Sequence, residues 1–362
     1  MKPYIPQKLP LDSLQWDKFI TLIGEASSEL GRYDGTLQAM INPLVLLSPL
    51  TIQEAVLSSK IEGTETTLEQ VMEHRALPKV KDAKTEDILE VINYQQALLY
   101  AEDSLKTKPI SLNLIKEIHY RLLASVRGRD KARGEFRKIQ NFVGKHGAPI
   151  EQASYVPPPP EVLMEYLDNF EKYIHYEERD RLVQLAIVHA QFEIIHPFLD
   201  GNGRVGRILI PLFLVEKNLL STPTFYISAY LEANRDTYYE RLNGISKNND
   251  WGSWVSFFLT GVIEQARANG ETAKAILALY DMMKREIANV IKSQYSIQVL
   301  DALFELPIFS TTEFIQRSSI PKASAMRILN TLRREGIIEV MREGKGNRPA
   351  VMLFSKLLSI VE

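Results

Sequence analysis

The chain has 362 residues, 45% of them hydrophobic, which is enough for two or three domains with cores of their own. A net charge of -2 excludes a protein coated throughout by nucleic acid, although it leaves room for one local basic module. Cysteine is absent, which removes disulfides, thiol nucleophiles and Cys-based zinc or iron–sulfur sites.

The opening MKPYIPQKLPLDSL lacks the apolar stretch of a secretory signal. The longest apolar run, residues 208–215, falls far short of the roughly 20 residues a membrane helix needs. A soluble, cytoplasmic protein with no membrane partner is expected.

Apolar residues recur at i, i+3, i+4 over residues 11–29, 49–59, 85–103 and 111–126, and again over 160–174, 181–195, 207–216 and 251–268. Each reads as a helix, so the fold class is mainly α. Residues 139–143 and 153–156 read as two short strands flanking a Gly- and Pro-containing stretch, 144–149, as in a β-hairpin. The prolines from Pro157 to Pro160 end that hairpin and preset the first turn of the next helix. Soft breaks near 105 and 271 divide the chain into an N-terminal helical region (1–105), a central core (106–270) and a C-terminal domain (271–362).

The C-terminal segment has a different rhythm. An apolar helix over 297–305 precedes Ser310 and Thr311, either of which can cap a short helix. A second helix starts at Pro321, runs through Arg334 and ends at Gly336; residues 337–341 and 351–354 then alternate around Gly344-Lys345-Gly346-Asn347. Helix, turn, helix, hairpin is the order of a winged helix. Residues 310–350 carry eight basic against four acidic side chains, a local excess that suits DNA. Residues 321–334 would form the recognition helix, with Lys345 and Arg348 on the wing for phosphates. A winged helix that binds protein, or pairs two copies of the chain as a homodimer, fits the same pattern.

The chemistry concentrates in Ile195-His196-Pro197-Phe198-Leu199-Asp200-Gly201-Asn202-Gly203-Arg204-Val205-Gly206-Arg207, which joins two apolar helices. Pro197 pushes His196 out of helical geometry, to the lip of a turn. Gly201 and Gly203 permit backbone angles that point successive N–H groups into one concavity at a helix start, a phosphate-binding arrangement. Arg204 and Arg207, three apart, can reach one polyphosphate. Asp200 supplies a hard oxygen ligand of the kind Mg²⁺ takes.

Competing readings are weaker. His74, His119, His146 and His175 are assigned no role. His189 and His196 are seven apart, but no third metal ligand follows at useful spacing. Gly201-x-Gly203-x-x-Gly206 satisfies the dinucleotide fingerprint, yet a helical pattern precedes it instead of a strand, and no acidic residue stands about 20 positions on. No Walker A loop is present.

The run from His196 to Arg207 resembles the Fic family signature, H-P-F-x-D/E-G-N-G-R-x-x-R, at every fixed position. The resemblance implies a Fic helical core with a β-hairpin flap, and transfer of AMP from ATP to a Ser, Thr or Tyr hydroxyl of a target protein. In that scheme His196 is the general base and Asp200 holds Mg²⁺. Gly201, Asn202 and Gly203 form the anion hole, Arg204 grips the phosphates, and Arg207 positions the γ-phosphate so that pyrophosphate leaves. Ser58-Ser59-Lys60-Ile61-Glu62-Gly63 also fits the family's S/T-x-x-x-E-G/N inhibitory motif, which implies Glu62 against Arg207. An ordinary charged helix end with Gly63 as its cap fits the same residues.

The hairpin around 139–156 resembles the family's flap, whose free edge would hold the target segment by main-chain pairing; a plain surface hairpin is the alternative. Residues 226–230 and 235–241 resemble the segment that lines the nucleotide pocket, with Tyr230 the aromatic expected on adenine. Two other functions share these residues: a DNA-binding regulator whose Fic core senses nucleotide, and a site that uses another phosphate-linked donor or removes AMP, with Glu62 aligning the water.

Overall fold

The computed structural model describes residues 2–78, 83–124, 131–144, 149–346 and 348–362. Residues 125–126 of the expected helix 111–126, the hairpin tip 145–148 with His146, and Asn347 lie outside the described residues.

The N-terminal region is helical, as its periodicity requires, with one displacement. Helix α1 (Ile20–Gln38) starts nine residues later than the pattern from Leu11 suggests, after a 3₁₀ turn at Trp16–Lys18. Leu11 and Leu14 still pack against the core from irregular backbone, three apart as on a helix, and Trp16 packs from the 3₁₀ turn. Helices α2 (Pro43–Leu46) and α3 (Ser48–Ile61) each carry proline in the first turn, where no N–H is missed. Helix α4 (Leu68–Ala76) opens on a capping box between Thr67 and Gln70. Helices α5 (Ala83–Leu105) and α6 (Leu112–Leu122) follow, α6 capped by Ser111.

Two helices form the centre. Helix α8 (Arg181–Ile195), capped by Asp180, follows α7 (Leu163–Ile174) and buries all but two of its fifteen side chains. Helix α9 (Asn202–Glu216) is apolar on every side beyond Arg207 until its final Glu216. The two pack on each other, with α7 on α8 and with α3, α5 and α6 on α9. Helices α10 (Ser228–Ala233), α11 (Arg235–Asn248) and α12 (Trp251–Ile291) complete the shell, and α1 runs along α12.

The expected hairpin is a looser structure. Residues 139–156 meet at a single antiparallel bridge, Val143 with Tyr155, and no strand forms on either side among the described residues. The polar side chains there bond elsewhere. Gln140 donates to the Pro157 carbonyl at 3.0 Å and Asn141 to the Phe198 carbonyl at 2.8 Å, tying the segment to the loop after α8.

The break expected near residue 271 falls inside α12, which continues unbroken to Ile291. Gly270, inside that helix, faces Tyr33 of α1, where a Cβ would stand 4.0 Å from the ring. Beyond α12 come α13 (Ser296–Glu305), β1 (Ile308–Ser310), α14 (Thr311–Ser318), α15 (Lys322–Arg334), β2 (Glu339–Arg342), β3 (Val351–Leu353) and α16 (Ser355–Val361). The strands form an antiparallel sheet in the order β1-β3-β2, with Leu353 opposite both Ile308 and Glu339. Ser310 and Glu313 make the capping box of α14. Helices α13 and α16 dock on α12, and α4 covers β1. No helix among the described residues is long and apolar enough to cross a membrane.

Candidate active site

His196 ends α8 in the left-handed region, φ 49° and ψ 59°. A side chain there is strained, and the strain is held by surrounding bonds. The His196 N–H donates to Phe192 O at 3.0 Å, and its carbonyl accepts from Arg137 Nε at 2.9 Å. The ring Nδ1 lies 3.2 Å from Glu193 O. A carbonyl only accepts, so Nδ1 carries the proton and Nε2 keeps a free lone pair. Burial pushes the imidazole down to about 4, outweighing the bond to Glu193 O and the charge of Glu62, which pull the other way. At neutral pH His196 is an uncharged base.

The loop after it is braced by residues scattered through the chain. Arg137 is buried, and its guanidinium also reaches the carbonyls of Ile139, Pro158 and Ile195 while its own N–H donates to Pro197 O. Burial lowers it to about 10, which leaves it charged. Asn202 Oδ1 accepts from Phe198 N and its Nδ2 donates to Phe198 O, both at 2.8 Å, so this buried amide staples the turn and its side chain is committed to the loop. His119, assigned no role above, is fully buried and stacks on Phe198 at 3.7 Å. Its Nδ1 accepts from Gly134 N, which makes Nε2 the donor to Asp200 O at 3.0 Å. The loop that carries Asp200 therefore rests on His119.

Gly201 takes φ 77°, the left-handed turn that its lack of Cβ allows, and caps α9 with no side chain. The first-turn N–H groups of α9 thus have no side-chain acceptor. Gly203 is needed for a different reason from the one its motif position suggested. It is helical, and a Cβ on it would collide with Glu62 Oε1 and come within 2.9 Å of Arg207 Nη1. Its role is close approach, not dihedral freedom.

Both arginines are buried. Arg204 Nη1 donates to Glu90 Oε2 at 3.0 Å, and Nη2 lies 3.5 Å from Asp200 Oδ1. Arg207 Nε donates to Ser58 Oγ at 2.7 Å, and its Nη2 reaches Ser58 O at 2.9 Å and Glu62 Oε1 at 2.6 Å. Burial tends to raise Glu62, but the Arg207 charge and hydrogen bond, helped by Arg204 and His196, bring its carboxyl below the usual range. Gly63 follows at φ 102°, with Gly63 N bonded to Lys60 O and Thr64 N to Ser59 O. That is a Schellman end, so the helix-cap reading of Gly63 and the contact of Glu62 with Arg207 hold together. Glu193, on the turn before His196, packs beside Gly206; burial raises its carboxyl to about 8.

Asp200 is 45% exposed, and no cluster of three or more metal-ligating side chains exists among the described residues. As one partly exposed carboxylate, Asp200 offers a single hard oxygen donor of the kind Mg²⁺ takes.

Tyr230 sits apart from these residues. Its ring packs on Phe257 at 5.3 Å and over Gly261, where a Cβ would strike it. It lines, with Lys18, Thr237 and Arg241, a cavity of about 510 Å³ that has none of residues 196–207 in its wall. The next aromatic pair divides by helical phase. Tyr238 turns inward to His189 Nε2 at 3.0 Å, while Tyr239 feels the charges of Glu62, Arg207 and Glu193. His189 itself is buried between Tyr238 and Gly206 O, far from any metal-ligand role.

Known proteins resemble this chain. The Fic/DOC family N-terminal model matches residues 20–103 and the Fic/DOC family model matches 109–214, together more than half of the chain. The protein adenylyltransferase Fic of Drosophila grimshawi is 33% identical over 160 residues, covering 43% of this chain and 31% of that protein. The probable protein adenylyltransferase aq_aa38 of Aquifex aeolicus is 30% identical over 197 residues, 52% of this chain and 56% of its own length. The chain thus spans about half or less of the length of these relatives. Among solved structures, a Fic family protein from Desulfovibrio desulfuricans G20 superposes with a TM-score of 0.59 at 20% identity, covering 97% of this chain and 98% of that one. Fic-1 (residues 134–508) from C. elegans gives 0.53 at 21%, covering 70% and 72%. With its signature intact from His196 to Arg207 on the α8–α9 junction, and with matches on both sides of residue 105, the chain belongs to the Fic/DOC family.

Proposed function

We propose that this protein is an adenylyltransferase that moves AMP from ATP onto a hydroxyl of a target protein and is held in check by Glu62. The observation that carries the reading is the state of Arg207, buried and bonded at 2.6 Å to Glu62 at the mouth of the α9 N-terminus.

In the active form, ATP lays its phosphates on the first-turn N–H groups of α9, where the helix dipole and Arg204 favour negative charge. His196 Nε2 takes the proton of the target hydroxyl. The hydroxyl oxygen bonds to the α-phosphorus as the bond to the bridging oxygen breaks, and pyrophosphate leaves with the electron pair. Arg207 orients the leaving phosphates only when Glu62 has released it. Asp200 would hold a Mg²⁺ ion, which would neutralise charge on the phosphate oxygens. Tyr230 remains the aromatic expected on adenine. The neutral, oriented state of His196 supports an enzyme over a nucleotide sensor. A cytoplasmic location is part of the proposal.

A second reading rests on one feature. The Glu62 side chain is 34% exposed, so water can reach its carboxylate for the reverse task, removal of AMP.

The test is incubation of the purified protein with Mg²⁺ and α-labelled ATP in cell lysate, beside Glu62→Gly and His196→Ala. Label on protein that rises with Glu62→Gly and vanishes with His196→Ala supports transfer. Absence of label in all three, with release of AMP from a pre-modified target that Glu62→Gly abolishes, replaces the proposal with the second reading.

A further inference from the structure

The C-terminal unit carries a surface that adenylyl transfer does not use. Helices α14 and α15 are joined by three residues, Ser319 to Pro321, with Ser319 in the left-handed region at φ 54°. Helix α15 buries Ala325, Ile328, Leu329 and Leu332 and leaves the opposite face open. Its sequence, KASAMRILNTLRR, has four basic residues and no acidic one. Along the exposed face lie Ala323, Arg327, Asn330 and Arg334, at i, i+4, i+7 and i+11. Arg327 and Asn330 bring the two side chains that pair in a two-pronged way with guanine and adenine edges, and Ala323 lets the helix approach closely.

The hairpin supplies a second, independent observation. Lys345 and Arg348 form an antiparallel bridge, exchanging both main-chain bonds at 3.1 Å. Directly opposed residues put their side chains on one face, so two exposed cations are held side by side. Like charges in that position destabilise the ladder, and no carboxylate pairs with either among the described residues. Nearby glutamates are engaged elsewhere: Glu343 with Arg333, Glu335 with Arg334 and Glu305 with Arg317. The arrangement makes sense when an anion lies over the bridge.

We propose that α14, α15 and the β2–β3 hairpin form a winged-helix site for duplex DNA. Helix α15 enters the major groove with Arg327 and Asn330 toward the bases, while Lys345 and Arg348 rest on phosphates.

The test uses the full chain, a fluorescent 30-base-pair random duplex pool, and anisotropy titrations at 50 and 200 mM salt. With three to four phosphate contacts, affinity is expected to drop by about 40- to 150-fold between the two salts. Lys345→Ala with Arg348→Ala should weaken binding to every sequence and reduce the logarithmic salt slope by about 2. Arg327→Ala with Asn330→Ala should leave that slope in place and abolish enrichment of any sequence in rounds of selection. His196→Ala should bind DNA as the parent does, so this result stands apart from any failure of the transferase reading. No duplex binding at 50 mM salt, or binding that neither variant pair alters, overturns the proposal, as does capture of a protein partner through the same four residues with no DNA bound.

Discussion

Glu62 and Arg207, 145 positions apart in the chain, meet at 2.6 Å over Gly203, the one motif position where a methyl group would strike both. The arginine has two anchors, and they differ in kind. Ser58 holds Nε and Nη2 from inside the buried end of α3, whereas Glu62 stands at the rim with a third of its side chain in water. Loss of Glu62 thus frees one edge of the guanidinium without unseating it.

Glu62→Gly is expected to raise adenylyl transfer by about tenfold or more, the factor gained for each ~1.4 kcal/mol of ground-state contact removed. The measurement is the initial rate of α-label incorporation, with circular dichroism to show an unchanged helix content. Ser58→Ala makes the contrast. It leaves a buried guanidinium N–H unpaired at a cost of about 1–3 kcal/mol, so it should lower the melting temperature and give no gain in rate.

The pH profile follows from His196. Its folded value, near 4, lies below the ordinary histidine range because burial disfavours the charged ring. The base is lost only when the ring is protonated, so kcat/KM of the Glu62→Gly variant should stay level from pH 8 to 6 and decline as pH falls toward about 4. An acid limb near 6.5 would mean that the loop opens to water before reaction and that the closed geometry is not the reacting one.

Much of this site is legible in the sequence because its chemistry is local. His196, Asp200, Gly201, Arg204 and Arg207 occupy one short run, and Glu62 carries a six-residue signature of its own. What supports them is not local. Arg137 meets the His196 carbonyl across 59 positions and His119 meets Asp200 across 81. Each is a single residue with no repeating neighbour to mark it, so only the packed chain shows what it holds. The same limit explains the errors of pattern. Leu11 and Leu14 stand three apart, as on a helix, yet lie on irregular backbone because they reach the core one by one.

Glu54 gives a stability prediction with a definite sign. It is buried behind Ser58, accepting from Ser228 N at 3.1 Å, from Ser228 Oγ and from Tyr94 OH. Burial outweighs these bonds and the charge of Arg207, and lifts its carboxyl to about 7. A folded value above the unfolded one means that the contribution is full below about 4.5 and is lost as pH rises through about 7. That loss amounts to about 3 kcal/mol. Glu54→Gln keeps the acceptor for Ser228 N and cannot ionise. Urea melts at pH 5 and 8 should therefore show the variant gaining on the parent as pH rises; an equal difference at both pH values would place the Glu54 titration outside this range.

Arg137→Lys tests whether the loop geometry is held by a planar fork. The guanidinium spans the carbonyls of Ile139, Pro158, Ile195 and His196, which lie in different directions. An ammonium keeps the charge but is a point donor on a flexible stem, and it cannot serve all four at once. His196 owes its left-handed backbone to the bonds at either side of it, so relaxing the fork should let the imidazole drift by a fraction of an ångström. A misplacement of about 1 Å can cost on the order of 100-fold in rate. The expected signature is a drop of that order in kcat with KM for ATP nearly unchanged, since the α9 N-terminus, Arg204 and Arg207 are not touched. A rise in KM with kcat preserved would assign Arg137 to nucleotide binding and remove it from the positioning of the base.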